Sequence, residues 1–430
     1  MKEMFKNVSD IVRKNLCTGC GTCYSLCPTE SIKIVIDQKK GIYIPQINSE
    51  CNNCGVCLKV CPGHKFDFEE YNMDIFGKLP DHPLIGNFLT CYLGYTNDQQ
   101  IRYNSSSGGL VTQILISALE EGLIDGALVT RMKKDDPFVP EPFIAKSPEE
   151  IIEAATSKYC PVPANVILKK ILATKDEKFA IVGLPCHIHG IRKAERVNKE
   201  LKEKIALRIG IFCSSVPNFA ATKFLLYKYN LEKENVKSIS YRGKGWPGAL
   251  DIQLKEGKLD VPMFEYYNSG FGQYFTPIRC KVCIDQACEM SDLSIADAWI
   301  PEIMEKDAKG TSFIVIRNQI AGKFLKHLTS KKIITLEKTD VNCVLKSQDY
   351  LFSKKRYINV LKHFKRNVPQ YHVKSLDANL KSYITLLFFV VGKCLSKPYL
   401  WRLLTYYVSL INILLGGYIT AFFRKVKLIK

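Results

Sequence analysis

The chain has 430 residues, 47% hydrophobic and 24% charged, a balance that supports more than one packed core and excludes a disordered or collagen-like polypeptide. Its formal net charge of +19 is unevenly held: residues 1–319 carry 40 Lys and Arg against 38 Asp and Glu, whereas residues 320–430 carry 21 against 4. The basicity thus belongs to the tail, which points to an anionic membrane surface or an acidic partner more than to a nucleic-acid groove. Seventeen cysteines are present, and no charged and apolar secretory leader opens the sequence. Reduced thiols in a cytoplasmic setting are therefore expected, many of them holding metal.

In chain order, CTGCGTCYSLCP supplies Cys17, Cys20, Cys23 and Cys27 before Pro28, and CNNCGVCLKVCP supplies Cys51, Cys54, Cys57 and Cys61 before Pro62. Both read C-x2-C-x2-C-x3-C-P. In this bacterial ferredoxin pattern three close thiolates wrap one 4Fe-4S cubane, and the fourth, beside proline, reaches the neighbouring cluster. The expected ligand sets are Cys17, Cys20, Cys23 and Cys61 for one cluster, and Cys51, Cys54, Cys57 and Cys27 for the other. Gly19, Gly21 and Gly55 leave room for backbone amides to turn toward cluster sulfurs. Zinc is the alternative, but it takes two CxxC pairs or Cys/His sets around one ion, which two consecutive ladders fit poorly. Between the ladders, SIKIVIDQKKGIYIPQI alternates apolar and polar residues about a Lys-Lys-Gly turn and predicts a strand pair.

Residues 66–104 contain Pro80 and Pro83, lack a clear period and read as a connector. Next, NSSSGGLVTQILISALEEGLIDGALVTR predicts a helix from Leu110 and a strand from Gly126. The turn before that helix, Ser105, Ser106, Ser107, Gly108 and Gly109, suits either the phosphates of a dinucleotide or a plain serine N-cap. KFAIVGLPCHIHGIRKAERV and IALRIGIFCSSVPNFAATKFLLYKY repeat a strand-loop-helix design. They place Cys186 and Cys213 at the carboxyl rim of an α/β layer, where functional groups collect. Cys280, Cys283 and Cys288 follow with C-x2-C-x4-C spacing and need a fourth ligand. Cys213 is preferred to Cys186 for a third 4Fe-4S site, with zinc or a structural thiol set as the alternative. The isolated Cys91, Cys160, Cys343 and Cys394 read as structural.

Taken in order, SSSGGLVTQILISALEEGLIDGALV, TSKYCPVP, FAIVGLPCHIHGIRKA, IGIFCSSVPN and RCKVC followed by SDLSIADAW resemble the coenzyme F-420 hydrogenase/dehydrogenase beta-subunit family. The resemblance covers roughly residues 1–320. It implies an iron-sulfur flavoprotein that carries FAD and exchanges electrons between clusters and a hydride-accepting substrate, which in archaeal members is coenzyme F-420. By position, Ser105 to Gly109 look like the family's flavin-binding turn. Ser157, Lys158 and Tyr159 look like its Ser-Lys-Tyr segment, and Gly183, Pro185 and Cys186 like its Gly-x-Pro-Cys loop. Asp297 and Trp299 look like the end of its Ala-Asp-Ile-x-x-Gly-Asp-x-Trp motif. Two departures, Ala296 for the usual glycine and histidines at 187 and 189, bear on the substrate. Lys158 is a candidate to stabilise negative charge on a reduced flavin, with a surface lysine as the alternative. His187 is a candidate proton donor, with a hydrogen-bonding helix-start residue as the alternative.

The expected fold class is therefore multidomain α+β and α/β. A dicluster ferredoxin-type domain occupies 1–65 and a connector 66–104. An α/β flavin-binding body follows in two regions, 105–175 and 176–320, and then a basic, apolar helical tail, 321–430. Within that tail, residues 403–423 run for 21 positions without a charge. That length is close to the span of a bilayer, but its polar and glycine content suits an interfacial segment better, so residues 383–430 predict peripheral attachment to the inner face of a membrane or to a membrane partner. The function expected is an oxidoreductase with ferredoxin or another redox protein as partner, a small-molecule hydride acceptor or donor as substrate, and no nucleic acid. The rival is a subunit that only relays electrons from ferredoxin to a partner enzyme, for instance in a surface-polysaccharide pathway.

Overall fold

The computed structural model describes residues 5–348, 350–364, 366–372 and 377–414. The N-terminal ladders each end in a one-turn helix, Thr22–Ser25 and Val56–Lys59, and the sequence between them forms the expected hairpin of β1 (Ile32–Asp37) and β2 (Ile42–Ile47). The pair is antiparallel with Ile32 opposite Ile47. A short strand β3 (Lys65–Asp67) closes this unit.

The body is one eight-stranded mixed sheet. Its strands are β4 (Thr90–Thr96), β5 (Gly126–Met132), β6 (Pro140–Ala145), β7 (Phe179–Gly183) and β8 (Ile205–Ile211). A smaller antiparallel sheet follows in the chain, with β9 (Val236–Ser240), β10 (Ala249–Leu254) and β11 (Lys258–Pro262). The large sheet is then completed by β12 (Leu293–Asp297), β13 (Ser312–Ile316) and β14 (Ile334–Thr339), in the order β14-β4-β13-β12-β8-β7-β5-β6. The four central strands β12, β8, β7 and β5 run parallel, and the pairs outside them are antiparallel. Apolar runs such as FAIVG and SFIVI are buried on both faces, as a covered sheet requires. Helices α1 (Leu110–Glu120), α2 (Pro185–Val197) and α3 (Phe219–Lys228) follow the strand-loop-helix units where the periodicity placed them.

Two boundaries differ from the sequence reading, and the two regions of the body prove to be continuous. Residues 66–104 are not a connector: they supply the helix Phe68–Phe76 and strand β4, which pairs with β13 on one side and β14 on the other. The prolines at 80 and 83 lie in the loop between, and their punctuation hid the alternation of TCYLGYT. Residues 105–175 and 176–320 share a single sheet, because β5 pairs with β7 across that division. The body also runs past 320, since the helix Gln319–Ser330 and β14 belong to it. The later residues are helical, with Tyr350–His363, α4 (Leu380–Leu395) and α5 (Trp401–Leu414). A last short strand, β15 (Gln370–His372), returns to pair in parallel with β3. The second half of the charge-free stretch 403–423, from 415 on, lies outside the described residues.

The ferredoxin-type unit is locked to the body by polar contacts at the start of α2. Asn165 donates to Thr22 Oγ1 at 2.8 Å, its backbone amide donates to the Cys20 carbonyl at 2.9 Å, and Ser25 Oγ donates back to the Asn165 carbonyl at 2.7 Å. Helix Thr22–Ser25 comes so close to α2 that a Cβ on Gly190 would lie 2.2 Å from Thr22 Oγ1. Gly190→Ala is therefore expected to push the unit off the body, read as faster amide exchange across residues 16–64 while β7 and β8 keep their protection.

Candidate functional site

Thiols gather in three places. Cys17, Cys20, Cys23 and Cys61 face one another in the apolar interior of the N-terminal unit, where burial pushes the Cys17 thiol up to about 12, with Cys61 and Cys20 adding to the shift. Burial and Cys20 raise Cys61 to about 11 against the pull of Lys193, whose ammonium donates to the Cys61 carbonyl at 2.9 Å. Such thiols stay neutral in apolar surroundings unless a cation supplies the opposite charge, which a metal cluster does. The second set, Cys27, Cys51, Cys54 and Cys57, lines a cleft toward the surface, with Cys54 exposed. Among the described residues no three His, Cys, Asp or Glu side chains close around a single-ion position.

The third gathering brings Cys186 beside the thiols singled out by spacing. Cys186 is pushed well above its usual value by burial, and Cys20, Cys213, Cys283 and Cys280 all add to the shift. Cys213 also adds to the upward shift of Cys288, whose fully buried sulfur lies 3.8 Å from the Gly183 carbonyl, and a Cβ on Gly210 would come within 2.7 Å of it. Cys288 is wedged between the ends of β7 and β8. Cys186, the alternative fourth ligand, thus neighbours Cys213, Cys280 and Cys283, while Cys288 neighbours Cys213. Cys288 itself takes a left-handed backbone (φ 54°). Asp285, between Cys283 and Cys288 in the chain, accepts from His189 Nε2 at 2.7 Å, and the imidazole stacks on Phe66 of β3 with ring centroids 4.1 Å apart. One of the two unusual histidines therefore fastens the cysteine loop to the N-terminal unit.

On the other side of Cys213 opens a cavity of about 970 Å³ at the carboxyl ends of β5, β7, β8 and β12. Its walls include Ser105, Ser106, Ser107, Gly109, Ser157, Lys158, Tyr159, Gly183, His187 and Asp297, so segments far apart in sequence converge as the motifs implied. Gly108, Pro185 and Cys186 do not line it. Gly108 packs under the turn, its amide donating to Ser312 Oγ at 3.0 Å, Pro185 opens α2, and Cys186 points to the sulfur side. Ser106 Oγ accepts from the Ser157 amide at 2.8 Å, which joins the serine turn to the Ser-Lys-Tyr segment.

The serine N-cap alternative is not what the structure shows. Ser105 Oγ donates to the Ile101 carbonyl and Ser107 Oγ to the Thr311 carbonyl, and the N-cap of α1 is Gly109 with φ 72° and no side-chain capping bond. An uncapped 11-residue helix therefore aims its amino end into the cavity, an arrangement that fits a dinucleotide's phosphates. Because φ at Gly109 is left-handed and a Cβ there would meet Thr96 Cγ2 at 2.7 Å, Gly109→Ala is expected to cost about 1–2 kcal/mol, measurable by urea unfolding.

The two residues expected to act in catalysis are both tied to backbone. Lys158 Nζ donates to the carbonyls of Ala154 and Ala155 at 2.6 Å and of Thr156 at 3.0 Å, closing the carboxyl end of the helix Pro148–Glu153. Burial lowers its pKa to about 7, while those oxygens use all three ammonium protons. His187 accepts from the Leu184 amide at Nδ1 (3.3 Å) and donates from Nε2 to the Val162 carbonyl (3.1 Å). Burial lowers it to about 4, so the ring at the start of α2 is neutral near pH 7 and its one N–H is taken up by the Val162 carbonyl. Both side chains thus stand in the cavity wall with their polar atoms engaged by backbone groups.

Sequence reading missed the most connected side chain of the site. Arg242, fully buried two residues after β9, meets Asp297 with two bonds of 2.9 and 3.1 Å. It also donates to the Ser106 carbonyl and to the Pro247 carbonyl. Trp246 donates to the same aspartate at 3.0 Å and stacks on Trp299 with centroids 5.2 Å apart. The available signal was the glycine-rich turn RGKGWPG directly after a strand.

Known proteins were compared with this arrangement. The N-terminal and C-terminal models of the coenzyme F-420 hydrogenase/dehydrogenase beta subunit match residues 91–169 and 176–342, together more than half of the chain, and a 4Fe-4S dicluster domain matches 16–64. The chain belongs to the coenzyme F-420 hydrogenase/dehydrogenase beta-subunit family. Among relatives, the coenzyme F-420 hydrogenase subunit beta of Methanothermobacter thermautotrophicus is 29% identical over 56% of this chain and 82% of its own. The coenzyme F-420-dependent sulfite reductase of Methanocaldococcus jannaschii is 27% identical over 77% of this chain and 49% of its own. A chain of the F-420-reducing NiFe hydrogenase complex from Methanosarcina barkeri shares the fold, with a TM-score of 0.52, 22% identity and coverage of 67% of this chain and 97% of that one. The family's relatives are oxidoreductases by name, and this member carries a ferredoxin-type 4Fe-4S domain ahead of the shared body.

Proposed function

We propose that the protein is an iron-sulfur flavoprotein oxidoreductase that binds FAD in the large cavity and passes electrons between three 4Fe-4S clusters and a hydride-accepting substrate, with coenzyme F-420 as the first candidate. The observation that carries the reading is Cys213, which lines the cavity and belongs to the thiol set of Cys186, Cys280 and Cys283. Cys186 in turn neighbours Cys20 of the N-terminal unit. Electrons entering at the cleft of Cys27, Cys51, Cys54 and Cys57 thus have a sulfur-lined route inward to the cavity wall.

A bound flavin exchanges an electron pair with a substrate and single electrons with clusters, which is why the two kinds of centre occur together. The residues present fit it. The open amino end of α1 and the Ser105–Gly109 turn would hold the pyrophosphate, and Arg242 would fix Asp297 and the serine turn against each other. Trp299, with Trp246 behind it, offers an aromatic wall for a planar ring system. Coenzyme F-420 is named in the descriptions of the relatives, and the partner expected from those descriptions is another redox protein or subunit.

Anaerobically purified protein is expected to release FAD on denaturation, identified by mass spectrometry, and to oxidise reduced coenzyme F-420 with a viologen as acceptor. Iron without flavin would overturn the flavoprotein reading in favour of an electron relay. Flavin with activity toward nicotinamides alone would overturn the choice of substrate.

A further inference from the structure

Between Lys381 and Lys393 helix α4 is largely apolar around its circumference but covered on one side only. Leu386 and Phe389 are buried in the body's core, and Gly392 packs on Tyr274. The opposite face leaves Leu380 (75% exposed), Ile384, Leu387 (63%), Phe388, Val390 and Val391 in solvent. A helix with two apolar faces needs a second apolar environment. Helix α5 continues the exposure with Leu403 and Tyr406, and Tyr399 stands free at the corner between the helices. The segments Ser382–Leu395 and Pro398–Val408 meet at 104°, and among the described residues no single helix is long and apolar enough to cross a membrane.

We infer that this bent pair is an in-plane docking surface for an anionic lipid bilayer, with the outer face of α4 and the Leu403–Tyr406 edge of α5 set into the acyl boundary. Charge distinguishes this occupant from a second copy. From residue 378 to the end the sequence holds eight Lys and Arg and no Asp or Glu. Of these, Lys397 and Arg402 are exposed at the corner next to the apolar face, with Lys397 over the Tyr399 ring. Exposed aliphatic residues edged by tyrosine and by unneutralised basic side chains form the pattern of a helix lying in a headgroup layer. A second copy of the same basic face would meet it with like charge instead. Docking here would hold the oxidoreductase at a surface where a lipid-soluble or membrane-embedded redox partner is in reach. The inference stands apart from the identity of the substrate.

The test is flotation of the full-length, anaerobically prepared protein with vesicles of phosphatidylglycerol and phosphatidylcholine. Binding at low salt is expected, at least tenfold weaker to phosphatidylcholine alone, and fully released by alkaline carbonate. Leu387→Glu with Leu403→Glu is expected to reduce binding at least tenfold while iron content stays unchanged. Lys397→Glu with Arg402→Glu is expected to abolish the preference for the anionic lipid. The inference is overturned if the wild-type chain stays in the aqueous fraction, if it resists carbonate, or if both variants float as the wild type does. It is also overturned if sedimentation velocity shows a dimer that the apolar variant dissociates, because a second copy would then cover the face.

Discussion

Cys213→Ser and Cys186→Ser are each expected to lower the iron content from about twelve to about eight atoms per chain and to stop reduction of the flavin by reduced ferredoxin, leaving F-420-dependent reduction of the flavin in place. Both thiols belong to the set that stands between the N-terminal unit and the cavity, so losing one interrupts the only sulfur contact described there between the two. Cys288→Ala provides the contrast. Its sulfur lies against the Gly183 carbonyl and under Gly210, so the change removes packing and leaves about twelve irons in place. Iron analysis with paramagnetic resonance of the reduced protein separates the two outcomes. Four irons lost from Cys288→Ala and none from Cys186→Ser would restore the ligand set read from spacing.

Arg242→Met is expected to produce the largest change in the cavity. The guanidinium is the sole cation meeting Asp297 among the described contacts, and it also holds the Ser106 carbonyl. Deleting one partner of a buried pair leaves the other charge uncompensated, at a cost of about 3–5 kcal/mol. That is a large part of the stability of an ordinary domain, so the variant should unfold at much lower urea and bind little flavin. Arg242→Lys keeps the charge but not the paired bonds, and an intermediate flavin content is expected from it. Flavin absorbance per chain and urea midpoints measure both effects. A flavin content equal to wild type in Arg242→Met would remove Arg242 from the cofactor's support.

Much of this was legible in the sequence because local chemistry fixed it. The paired ladders announce an iron-sulfur unit through covalent spacing, and the apolar runs before Gly183 and Cys213 end strands at the rim where they were expected. What spacing could not supply was direction. Cys186 and Cys288 both neighbour Cys213, and Cys186 lies nearly a hundred residues from the loop of Cys280 and Cys283. The partners of polar side chains were hidden for a related reason. Lys158 and His187 sit in the motifs expected to act, but the nearest partners for their protons are backbone carbonyls at helix ends, which a motif does not display. Arg242 was missed because its partners, Asp297 and Ser106, come from strands and turns far away in sequence. Strand β4 was hidden by the prolines before it and recognisable only once β13 and β14 flank it.

The central claim is that one polypeptide joins three iron-sulfur clusters to a two-electron organic carrier. Anaerobic coulometric titration of the purified full chain tests it most directly, because each cluster takes one electron and a flavin takes two. The account predicts an uptake of about five electrons per chain, with loss of flavin absorbance in the same titration. An uptake of about three, with no flavin change, would contradict it, and so would an uptake of about two with no cluster signal.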